Sequence, residues 1–425
     1  MNLSPGEQKW AGRQLHFIGI GGAGMSGLAL ACHDLGVIVS GSDRAESSYI
    51  ERLREFEIFP AIGHDGANLP ADFEVVVSTA IDEDNPELAL ARERGLPIHR
   101  RGELLAELCA EKRLIAVAGT HGKTTTTAML AWALRWLGAD PAFFVGGEVP
   151  GLGLGGITAN AGWGMGEWVV AEADESDASF LELKPEIAVV TNIEMDHHSR
   201  WGSIGELREA FDRFAAGARL TEFDFDSPGP AELELAVPGA HNVLNARAAL
   251  AAAELAGFDL GDVADALGGF PGVHRRLEFK GERDGAAIYD DYAHHPTEVR
   301  AALEALRGLG PARLIAVFQP HLYSRTKAFA AQFGAALALA DEAVVLDVYP
   351  AREQPVGELA GVSGLDVARA AADRMGGRRV LWAPTLAATE AAVAARLGPG
   401  AVLVTLGAGD VFKVGEALLQ NGAGR

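Results

Sequence analysis

The sequence predicts an α/β protein of three domains, each built around a mostly parallel sheet, and three observations lead to this prediction. The chain has 425 residues, which at about 100 to 200 residues per domain suggests two to four domains. Short apolar runs typical of buried strands alternate with helical patterns along its length. Several of these runs end in glycine-rich or polar segments suited to nucleotide binding. The predicted domains are 1–109, 110–272 and 273–425.

Composition indicates a globular protein of a reducing compartment. Hydrophobic residues make up 48% of the chain and charged residues 22%, which allows several buried cores. The formal net charge of −22 makes nucleic acid and anionic membranes poor partners, so we expect neither. Two cysteines are too few for a disulfide framework, and a cytoplasmic location is expected. Composition leaves the choice between monomer and homodimer open.

The first domain is predicted from an apolar stretch, 15–31, that turns glycine-rich. Lys9 and Arg13 precede it and Cys32 follows it, as in a secretory or lipoprotein signal. Five glycines interrupt the run where a strand would become a helix, which argues against a signal helix. We therefore predict a Rossmann-like domain whose glycine turn binds a nucleotide. NAD would also fit this turn, with an acid on the ribose; the residues concerned are Gly19, Gly21, Gly22, Gly24 and Asp43.

The second domain is predicted from a shortened phosphate-binding loop, Gly119-Thr-His-Gly-Lys-Thr124, which follows an apolar strand and opens a helix. The usual NTPase pattern would also place a glycine at position 117, which is valine here. Backbone amides of such a loop surround phosphate oxygens, Lys123 adds a positive charge, and Thr124 offers a hydroxyl to Mg²⁺. The central domain is therefore predicted to be a P-loop-type ATPase sheet. A chance G-K-T at a helix start is the alternative.

Carboxylates crowd the ends of two further predicted strands of this domain. One strand ends in Glu172-Ala-Asp-Glu-Ser-Asp177, and another, which begins at Ile187, ends in Glu194-Met-Asp-His-His198. Strand ends of a parallel sheet meet at one edge, and clustered acids there attract a divalent cation. A solvated acidic loop and a zinc site are the alternatives, and magnesium with ATP is favoured. The glycine-rich run 146–156 is expected to be a mobile loop near the nucleotide.

The third domain is predicted from four apolar strands with polar residues at their ends. The strands are expected at 286–291, 313–318, 342–347 and 401–405, with amphipathic helices between them. Asp291, His321 and Arg325 follow or end these strands, so a second Rossmann-like sheet with a binding edge is expected. Just before this domain, Asn242 and Asn245 lie three residues apart at the start of an alanine-rich helix.

Five segments, in this order along the chain, resemble the Mur ligase family. They are Gly119-Thr-His-Gly-Lys-Thr124, Glu172-Ala-Asp-Glu-Ser-Asp177, Thr191-Asn-Ile-Glu-Met-Asp-His197, His241-Asn-Val-Leu-Asn245 and Asp290-Asp-Tyr-Ala-His-His-Pro296. The resemblance implies an ATP-dependent amide ligase of peptidoglycan precursor synthesis. Segments 16–27, 318–325 and 347–353 point to a member that joins L-alanine to the lactyl carboxylate of UDP-N-acetylmuramic acid through an acyl phosphate, releasing ADP and phosphate.

The resemblance also implies roles for individual residues. The first domain would bind the UDP of the sugar substrate through Gly19, Gly21, Gly22, Gly24 and Asp43, and the third would hold substrate carboxylate and amino acid through His321 and Arg325. Magnesium would be held by Thr124, Glu172 and His197. The implied catalytic residues are Lys123, Glu172, His197, Arg276 and Asp291. The implied ATP-binding residues are Gly119, Thr120, His121, Gly122, Lys123, Thr124, Thr125, Asn242 and Asn245.

One segment departs from the family, and three rival functions stay open. Segment 215–237 is shorter than the corresponding insert of relatives, and its acids and proline predict a solvated loop more than a paired strand. The rivals are an NAD-dependent oxidoreductase, a nucleotide-switched binding protein, and a family member that joins a preformed peptide to the sugar. The oxidoreductase would leave Lys123 without a role, and neither of the first two explains three successive nucleotide-type domains.

Overall fold

The described part of the chain contains three sheets, which confirms the α/β class. The chain divides into two units, Met1–Leu235 with Leu244–Pro271 and Ala236–Val243 with Gly272–Arg425. Two sheets belong to the first unit and one to the second. The predicted domain boundaries at residues 109 and 272 stay predictions. The computed structural model describes residues 7–176, 178–196, 200–222, 233–351 and 353–422.

The first sheet is parallel throughout its five described strands. Its strands are β1 (Gln14–Ile18), β2 (Ile38–Asp43), β3 (Ala61–Ile62), β4 (Glu74–Val77) and β5 (Ile98–Arg100). They lie in the order β3-β2-β1-β4-β5. Side chains alternate along β1: Leu15 and Phe17 enter one apolar core and Ile18 another, so both faces of the sheet are covered. Its helices are α1 (Ala23–Asp34), α2 (Ser48–Glu55), α3 (Pro86–Arg94) and α4 (Arg101–Cys109).

Helix α3 shows how local sequence sets a helix in this sheet. Asn85 is its N-cap, and the Asn85 side chain accepts hydrogen bonds from the amides of Glu87 (3.0 Å) and Leu88 (3.2 Å). Pro86 occupies the first helical position, where a missing amide does no harm. Gly95 ends the helix with φ of +66°, a left-handed conformation that glycine adopts without strain. Cap, proline and glycine together fix both ends of α3.

The second sheet carries the phosphate loop on its central strand. It lies in the order β11-β10-β6-β9-β7-β8, and among the described strands of this sheet only β7 and β8 pair antiparallel. The strands are β6 (Arg113–Ala118), β7 (Ala142–Val149), β8 (Ala159–Gly162), β9 (Trp168–Glu172), β10 (Ile187–Val190) and β11 (Arg219–Glu222). The helices are α5 (Lys123–Trp136), α6 (Ile204–Ala215), α7 (Ala240–Ala256) and α8 (Leu260–Gly268).

Two expectations for this region were wrong in part. The shortened segment 215–237 contains a paired strand, because β11 runs parallel to β10 from Arg219 opposite Ile187 to Glu222 opposite Val190. Residues 223–232 of that segment lie outside the described residues. The glycine-rich run 146–156 begins inside β7, which continues to Val149, so its first four residues are strand and not loop. Backbone pairing across the sheet overrides the local turn propensity in both segments.

The third sheet forms the second unit and is buried on both faces. Side chains alternate along the strand Arg313–Phe318. One apolar core contains Leu314, Ala316 and Phe318, and another contains Ile315 and Val317. The strands are β12 (Glu278–Arg283), β13 (Ala286–Asp291), β14 (Arg313–Phe318), β15 (Glu342–Val345), β16 (Arg379–Trp382) and β17 (Ala401–Leu406). The helices are α9 (Pro296–Gly308), α10 (Tyr323–Leu337), α11 (Gly364–Arg374), α12 (Leu386–Ala394) and α13 (Phe412–Gly422).

The order of this sheet is β12-β13-β17-β14-β15-β16, with β12 antiparallel to β13 and the remaining pairs parallel. The edge strands β12 and β16 lack the continuous apolar pattern of the central strands, and the sequence did not predict them. Throughout the part of the chain that the structure describes, no helix is both long enough and apolar enough to span a bilayer.

Candidate active site

The glycine turn after β1 is shaped by bonds to the end of β2. The amides of Gly19 and Ile20 donate to the carbonyl oxygen of Ser42 at 2.8 and 3.0 Å. The amide of Gly21 donates to Asp43 Oδ2 at 2.9 Å. Gly19 has φ of +81°, which favours glycine at that position. Asp43, predicted to contact the substrate, therefore also supports the turn.

The start of α1 presents backbone amides and lies next to a guanidinium group. Its N-cap, Gly22, makes no side-chain cap bond, and first-turn amides have no acceptor within the helix. Arg101 lies beside Gly24, because a Cβ on that glycine would be 3.2 Å from Arg101 Nη1. Arg101 Nη2 also donates to Ser179 Oγ at 3.4 Å. Helix amides and a guanidinium group suit an anion such as a diphosphate.

The phosphate loop between β6 and α5 requires both of its glycines. Gly119 has φ of +128° and Gly122 has φ of +81°, conformations that disfavour other residues. A Cβ on Gly119 would overlap Thr191 Oγ1, and one on Gly122 would overlap Asn245 Oδ1. Lys123 is the first residue of α5, so the loop lies at the positive end of the helix dipole. The neighbouring predicted ATP residues are buried: Thr120, His121, Thr124 and Thr125.

The segment after β10 holds the loop through backbone and side-chain bonds. The carbonyl of Asn192 accepts the Thr120 amide at 3.0 Å, and its Oδ1 accepts the His121 amide at 2.9 Å. Asn192 Nδ2 and Thr191 Oγ1 both donate to the His121 carbonyl, at 2.9 and 2.6 Å. Thr120 Oγ1 exchanges bonds with the backbone of Glu194 at 2.9 and 3.0 Å. These bonds fix the loop geometry on the adjacent strand.

Lys123 is a largely buried cation, with its side chain 11% exposed, among three carboxylates. Its Nζ lies 2.8 Å from Glu175 Oε2 and donates to the Gly119 carbonyl at 2.6 Å. Burial alone would lower the pKa of Lys123, but the charges of Glu175, Asp174 and Glu172 outweigh it and raise the pKa. Burial raises the pKa of Glu175 to about 7. Burial would also raise the pKa of Asp174, but the Lys123 charge and hydrogen bonds from Ser176 outweigh it and lower that pKa. The site therefore holds a charged lysine and an excess of negative charge.

Glu172 joins the start of α5 to the continuation of β7. Its Oε1 accepts the Thr124 hydroxyl at 3.0 Å, and its Oε2 accepts the Gly146 amide at 2.6 Å. The structure thus brings together Thr124 and Glu172, two of the three residues implied as metal ligands. The third, His197, lies outside the described residues, as do Asp177 and His198 of the same motifs.

The two asparagines at the start of α7 have different surroundings. Asn245 Oδ1 accepts the Thr126 hydroxyl at 3.4 Å, and the Asn245 side chain lies against Gly122 of the phosphate loop. Asn242 Nδ2 donates to the Pro238 carbonyl at 2.8 Å, a bond local to the helix start. Asn245 is therefore beside the loop, while the ATP-binding role of Asn242 stays a prediction.

In the second unit, Arg276 lies in a strained turn. Its neighbours Arg275 and Leu277 have φ of +60° and +47°, which costs about 1 to 3 kcal/mol for each such residue. Asp291 holds the turn, because its oxygens accept the amides of Leu277 and Ala293 at 2.7 Å each. Burial raises the pKa of Asp291 to about 7, against the lowering effect of the Arg276 charge. The structure brings Arg276 and Asp291 together, and their catalytic role stays a prediction.

His321 and Arg325, the residues expected to hold the amino acid, are also neighbours. Arg325 Nη1 lies 3.3 Å from His321 Nδ1, and the Arg325 side chain is buried. The His321 ring stacks on Tyr349 at 5.8 Å and meets the edge of His294 at 5.9 Å. Leu322, which follows His321 in sequence, has φ of +69°. We call these residues the His321 cluster; its members are His294, His321, Arg325 and Tyr349. The cluster offers cationic and aromatic groups to a small zwitterion.

Sequence reasoning did not single out several residues of these sites. Glu175 and Asn192 lie inside motifs that were recognised, but spacing alone does not tell which acid faces Lys123 or which strand end holds the loop. Tyr349 and His294 also lie inside recognised segments, 347–353 and 290–296, in which no pattern marks these two side chains. Arg101 carried no sequence signal, because its partners come from two other segments of the first unit.

Family models cover each of the three predicted domains. The chain matches the Mur ligase family, catalytic domain, over residues 14–113, the Mur ligase middle domain over 117–224, and the Mur ligase, glutamate ligase domain over 275–409. In the first unit the matched segments include the glycine turn and the phosphate loop. In the second unit they include the Arg276 turn and the His321 cluster.

Whole-length relatives agree with these matches. The UDP-N-acetylmuramate–L-alanine ligase of Mycolicibacterium vanbaalenii is 45% identical, covering 96% of each chain. That of Renibacterium salmoninarum is 44% identical over 96% of this chain and 95% of its own. The crystal structure of UDP-N-acetylmuramate-alanine ligase from Thermotoga maritima superposes with a TM-score of 0.82 at 30% identity, covering 96% of this chain and 98% of that one. The chain therefore belongs to the Mur ligase family.

Proposed function

We propose that this chain is an ATP-dependent ligase that joins L-alanine to the lactyl carboxylate of UDP-N-acetylmuramate and releases ADP and phosphate. The observation that carries the proposal is the likeness to enzymes of that name, 45% and 44% identical over 96% of the chain. Family models also match the segments that hold the glycine turn, the phosphate loop and His321. The reaction would serve peptidoglycan precursor synthesis.

The phosphate loop supports the ATP half of the reaction. A carboxylate is a poor acyl donor, so it must be activated before an amine can attack it. Lys123 is charged and lies at the helix start, where it would stabilise the negative charge of a phosphoryl group during transfer to the lactyl oxygen. The product of that step is an acyl phosphate. Loop amides, held in place by Asn192, would orient the phosphates.

Magnesium belongs to the same proposal, and the residues present fit it. The Thr124 hydroxyl and a Glu172 carboxylate oxygen lie 3.0 Å apart, and hard oxygens of this kind are the ligands that Mg²⁺ prefers. Three carboxylates around a single lysine also leave negative charge for a further cation to neutralise. When bound, Mg²⁺ neutralises charge on the phosphates. Thr124 and Glu172 would hold it, and His197 stays a predicted ligand.

The other substrates are assigned to the glycine turn and the His321 cluster. The amides at the start of α1 and the Arg101 guanidinium would bind the diphosphate of the sugar nucleotide. In the second unit, buried Arg325 beside His321 would hold the alanine carboxylate through charge-assisted bonds. The alanine amine then attacks the acyl carbon and phosphate leaves.

A cytoplasmic location is part of the proposal, because the reaction consumes ATP and both cysteines are unpaired. Cys32 and Cys109 are buried free thiols, as expected of a reducing compartment. The choice between monomer and homodimer stays open.

An isotope experiment tests the reaction directly. If an acyl phosphate forms, an ¹⁸O label in the lactyl carboxylate must appear in the released phosphate, because that oxygen leaves with phosphorus. Release of AMP and pyrophosphate would contradict the mechanism. L-Alanine should be preferred, with glycine and L-serine accepted weakly, since one methyl group in an apolar pocket discriminates by about 1 to 3 kcal/mol. Phosphate release in response to a tripeptide but not to alanine would instead identify a peptide-joining member of the family.

A further inference from the structure

A buried polar cluster lies behind the glycine turn of the first unit and takes no part in the chemistry described so far. It connects β1, β2, the segment after β3 and the first turn of α3. Three of its side chains, those of His16, Ser42 and Glu87, are fully buried at 0% exposure. We call it the Glu87 cluster, and its members are His16, Ser40, Ser42, His64, Asn68 and Glu87.

Glu87 is the centre of this cluster, because both of its carboxylate oxygens have several partners. Its Oε2 lies 2.7 Å from His16 Nε2 and accepts the Ser42 hydroxyl at 2.7 Å. The other ring nitrogen of His16 lies 2.8 Å from Ser40 Oγ. Around Oε1, three nitrogens lie at 3.1 to 3.3 Å, those of the Asp65 amide, Asn68 Nδ2 and His64 Nδ1.

The carboxyl group of Glu87 is ionised in spite of its burial. Burial raises the pKa of Glu87, but hydrogen bonds from His16, Ser42 and Asn68 outweigh it and lower the pKa. Burying an ionised group carries a large desolvation cost, and apolar residues of similar volume often stabilise a fold equally well. Fold stability alone therefore gives a weak reason for this cluster, so a positional role is worth seeking.

Ser42 links the cluster to the glycine turn. Its hydroxyl is bonded to Glu87, while its carbonyl oxygen accepts the amides of Gly19 and Ile20 at 2.8 and 3.0 Å. The next residue, Asp43, accepts the Gly21 amide at 2.9 Å. A turn rich in glycine has few side chains of its own to hold its shape. Any shift of Ser42 would therefore be passed to the amides that shape the turn.

We propose that Glu87 is a positioning residue for the sugar nucleotide: it fixes Ser42 and thereby the glycine turn, without contacting the substrate. This inference rests on the proposed function, in which the turn and the start of α1 bind the diphosphate. Affinity of a helix start for an anion depends on where its amides point. Loosening the Glu87 cluster should therefore weaken binding of the sugar nucleotide and leave binding of ATP alone unchanged.

The main test is Glu87→Gln, which keeps the shape of the side chain and removes its charge and one acceptor. Calorimetric titration of the full-length protein with UDP-N-acetylmuramate should give a Kd raised about tenfold or more. The Kd for ATP should stay within about twofold, and so should kcat at saturating sugar nucleotide, while KM for the sugar nucleotide rises with its Kd.

A matched control comes from the same sheet, at the end of the strands away from the glycine turn. Glu74 begins β4 and accepts bonds from Arg13 at 2.8 and 3.0 Å, with His99 Nε2 at 2.6 Å. Glu74→Gln therefore disturbs a glutamate that, like Glu87, accepts several side-chain hydrogen bonds, but at the end of the strands away from the glycine turn. It should lower Tm without changing the Kd for UDP-N-acetylmuramate. Glu87→Gln and Glu74→Gln could instead lower Tm equally and both leave the Kd for UDP-N-acetylmuramate unchanged. Glu87 would then be merely structural, and the inference would be overturned.

A second variant keeps the test decisive if Glu87→Gln does not fold. Ser42→Ala removes one hydroxyl and leaves the carbonyl that holds the turn, and it should also raise the Kd for the sugar nucleotide. If both variants fold, their effects on that Kd should not add, because they break the same link. An unchanged Kd in Ser42→Ala would contradict the inference. Wild-type protein that fails to bind UDP-N-acetylmuramate would overturn the proposed function as well, whereas normal wild-type binding with unchanged variants would overturn the inference alone.

Discussion

Replacement of Lys123 by alanine separates its chemical role from its structural one. The side chain supplies the ammonium group that lies 2.8 Å from Glu175 and donates to the carbonyls of Gly119 and Thr120 at 2.6 and 3.2 Å. Turnover should fall on the order of 10³-fold or more, the scale of cationic groups that act on transferring phosphoryls. The fold should survive, because its sheets and cores do not depend on this side chain.

The cost in stability follows from the burial of Glu175, which is 1% exposed. Removing one partner of a buried ion pair costs about 3 to 5 kcal/mol, since it leaves the other charge uncompensated. Burial raises the pKa of Glu175 from 4.5 to about 7, and loss of the lysine would raise it further. The folded state then holds a proton that the unfolded state releases, so stability falls as pH rises through this window. Lys123→Ala should therefore lose less stability at about pH 6 than at about pH 8.

The assay combines thermal unfolding with phosphate release under saturating ATP, sugar nucleotide and L-alanine. The double variant Lys123→Ala with Glu175→Gln should recover most of the lost stability, because no buried charge is left unpaired, but none of the turnover. Lys112→Ala is the control, since Lys112 precedes β6 at the other end of the strand and donates to the Gly166 carbonyl at 2.7 Å. It should turn over normally.

Two results would refute this reasoning. Near-normal turnover of Lys123→Ala would remove Lys123 from the mechanism. Recovery of turnover in the double variant would show that the loss came from the unpaired carboxylate of Glu175 and not from the missing ammonium group.

Three further predictions concern single residues of the sites. Gly122→Ala places a Cβ against Asn245 Oδ1 at φ of +81°, so unfolding free energy should fall by about 1 to 3 kcal/mol and ATP should bind more weakly, as measured by thermal denaturation and titration calorimetry. Burial raises the pKa of Asp291 from 3.8 to about 7, so the contribution of Asp291 to stability declines as pH rises through that range. Asp291→Asn should therefore flatten the dependence of Tm on pH, and an unchanged slope would contradict this assignment. Arg325 lies 3.3 Å from His321, and Arg325→Lys should raise KM for L-alanine about tenfold without changing KM for ATP, because lysine cannot replace a bidentate guanidinium. Equal changes in both constants would indicate a general structural effect.

The strands and the phosphate loop could be predicted from sequence because their signals are local. An apolar run, two glycines and a lysine within ten residues define the end of β6, the loop and the start of α5. The same holds for the glycine turn after β1. The family resemblance has a similar basis, since each motif is a contiguous segment, and the fold class and the family were confirmed.

Strands at sheet edges were harder to predict. β12 and β16 are only partly buried, and β11 carries charged residues at both ends. β12 pairs with the next strand, β13, but lacks a continuous apolar pattern. β16 and β11 pair with β15 and β10, and a helix separates each pair in the chain, so no local pattern announces these two pairings. The expectation of an unpaired loop over 215–237 failed at Arg219–Glu222 for this reason.

Sequence alone determined which segments carry the chemistry, but the tertiary structure decided which side chains meet. Thr124 and Glu172 are 48 residues apart in sequence, His121 and Asn192 are 71 apart, and Ser42 and Glu87 are 45 apart. The first two contacts arise because β6 lies between β9 and β10. The third arises because the first turn of α3 places Glu87 beside Ser42 of β2. Strand order is set by the packing of whole faces, which sums many weak contacts over distant segments. For that reason Glu175, and not a residue chosen by spacing, became the partner of Lys123.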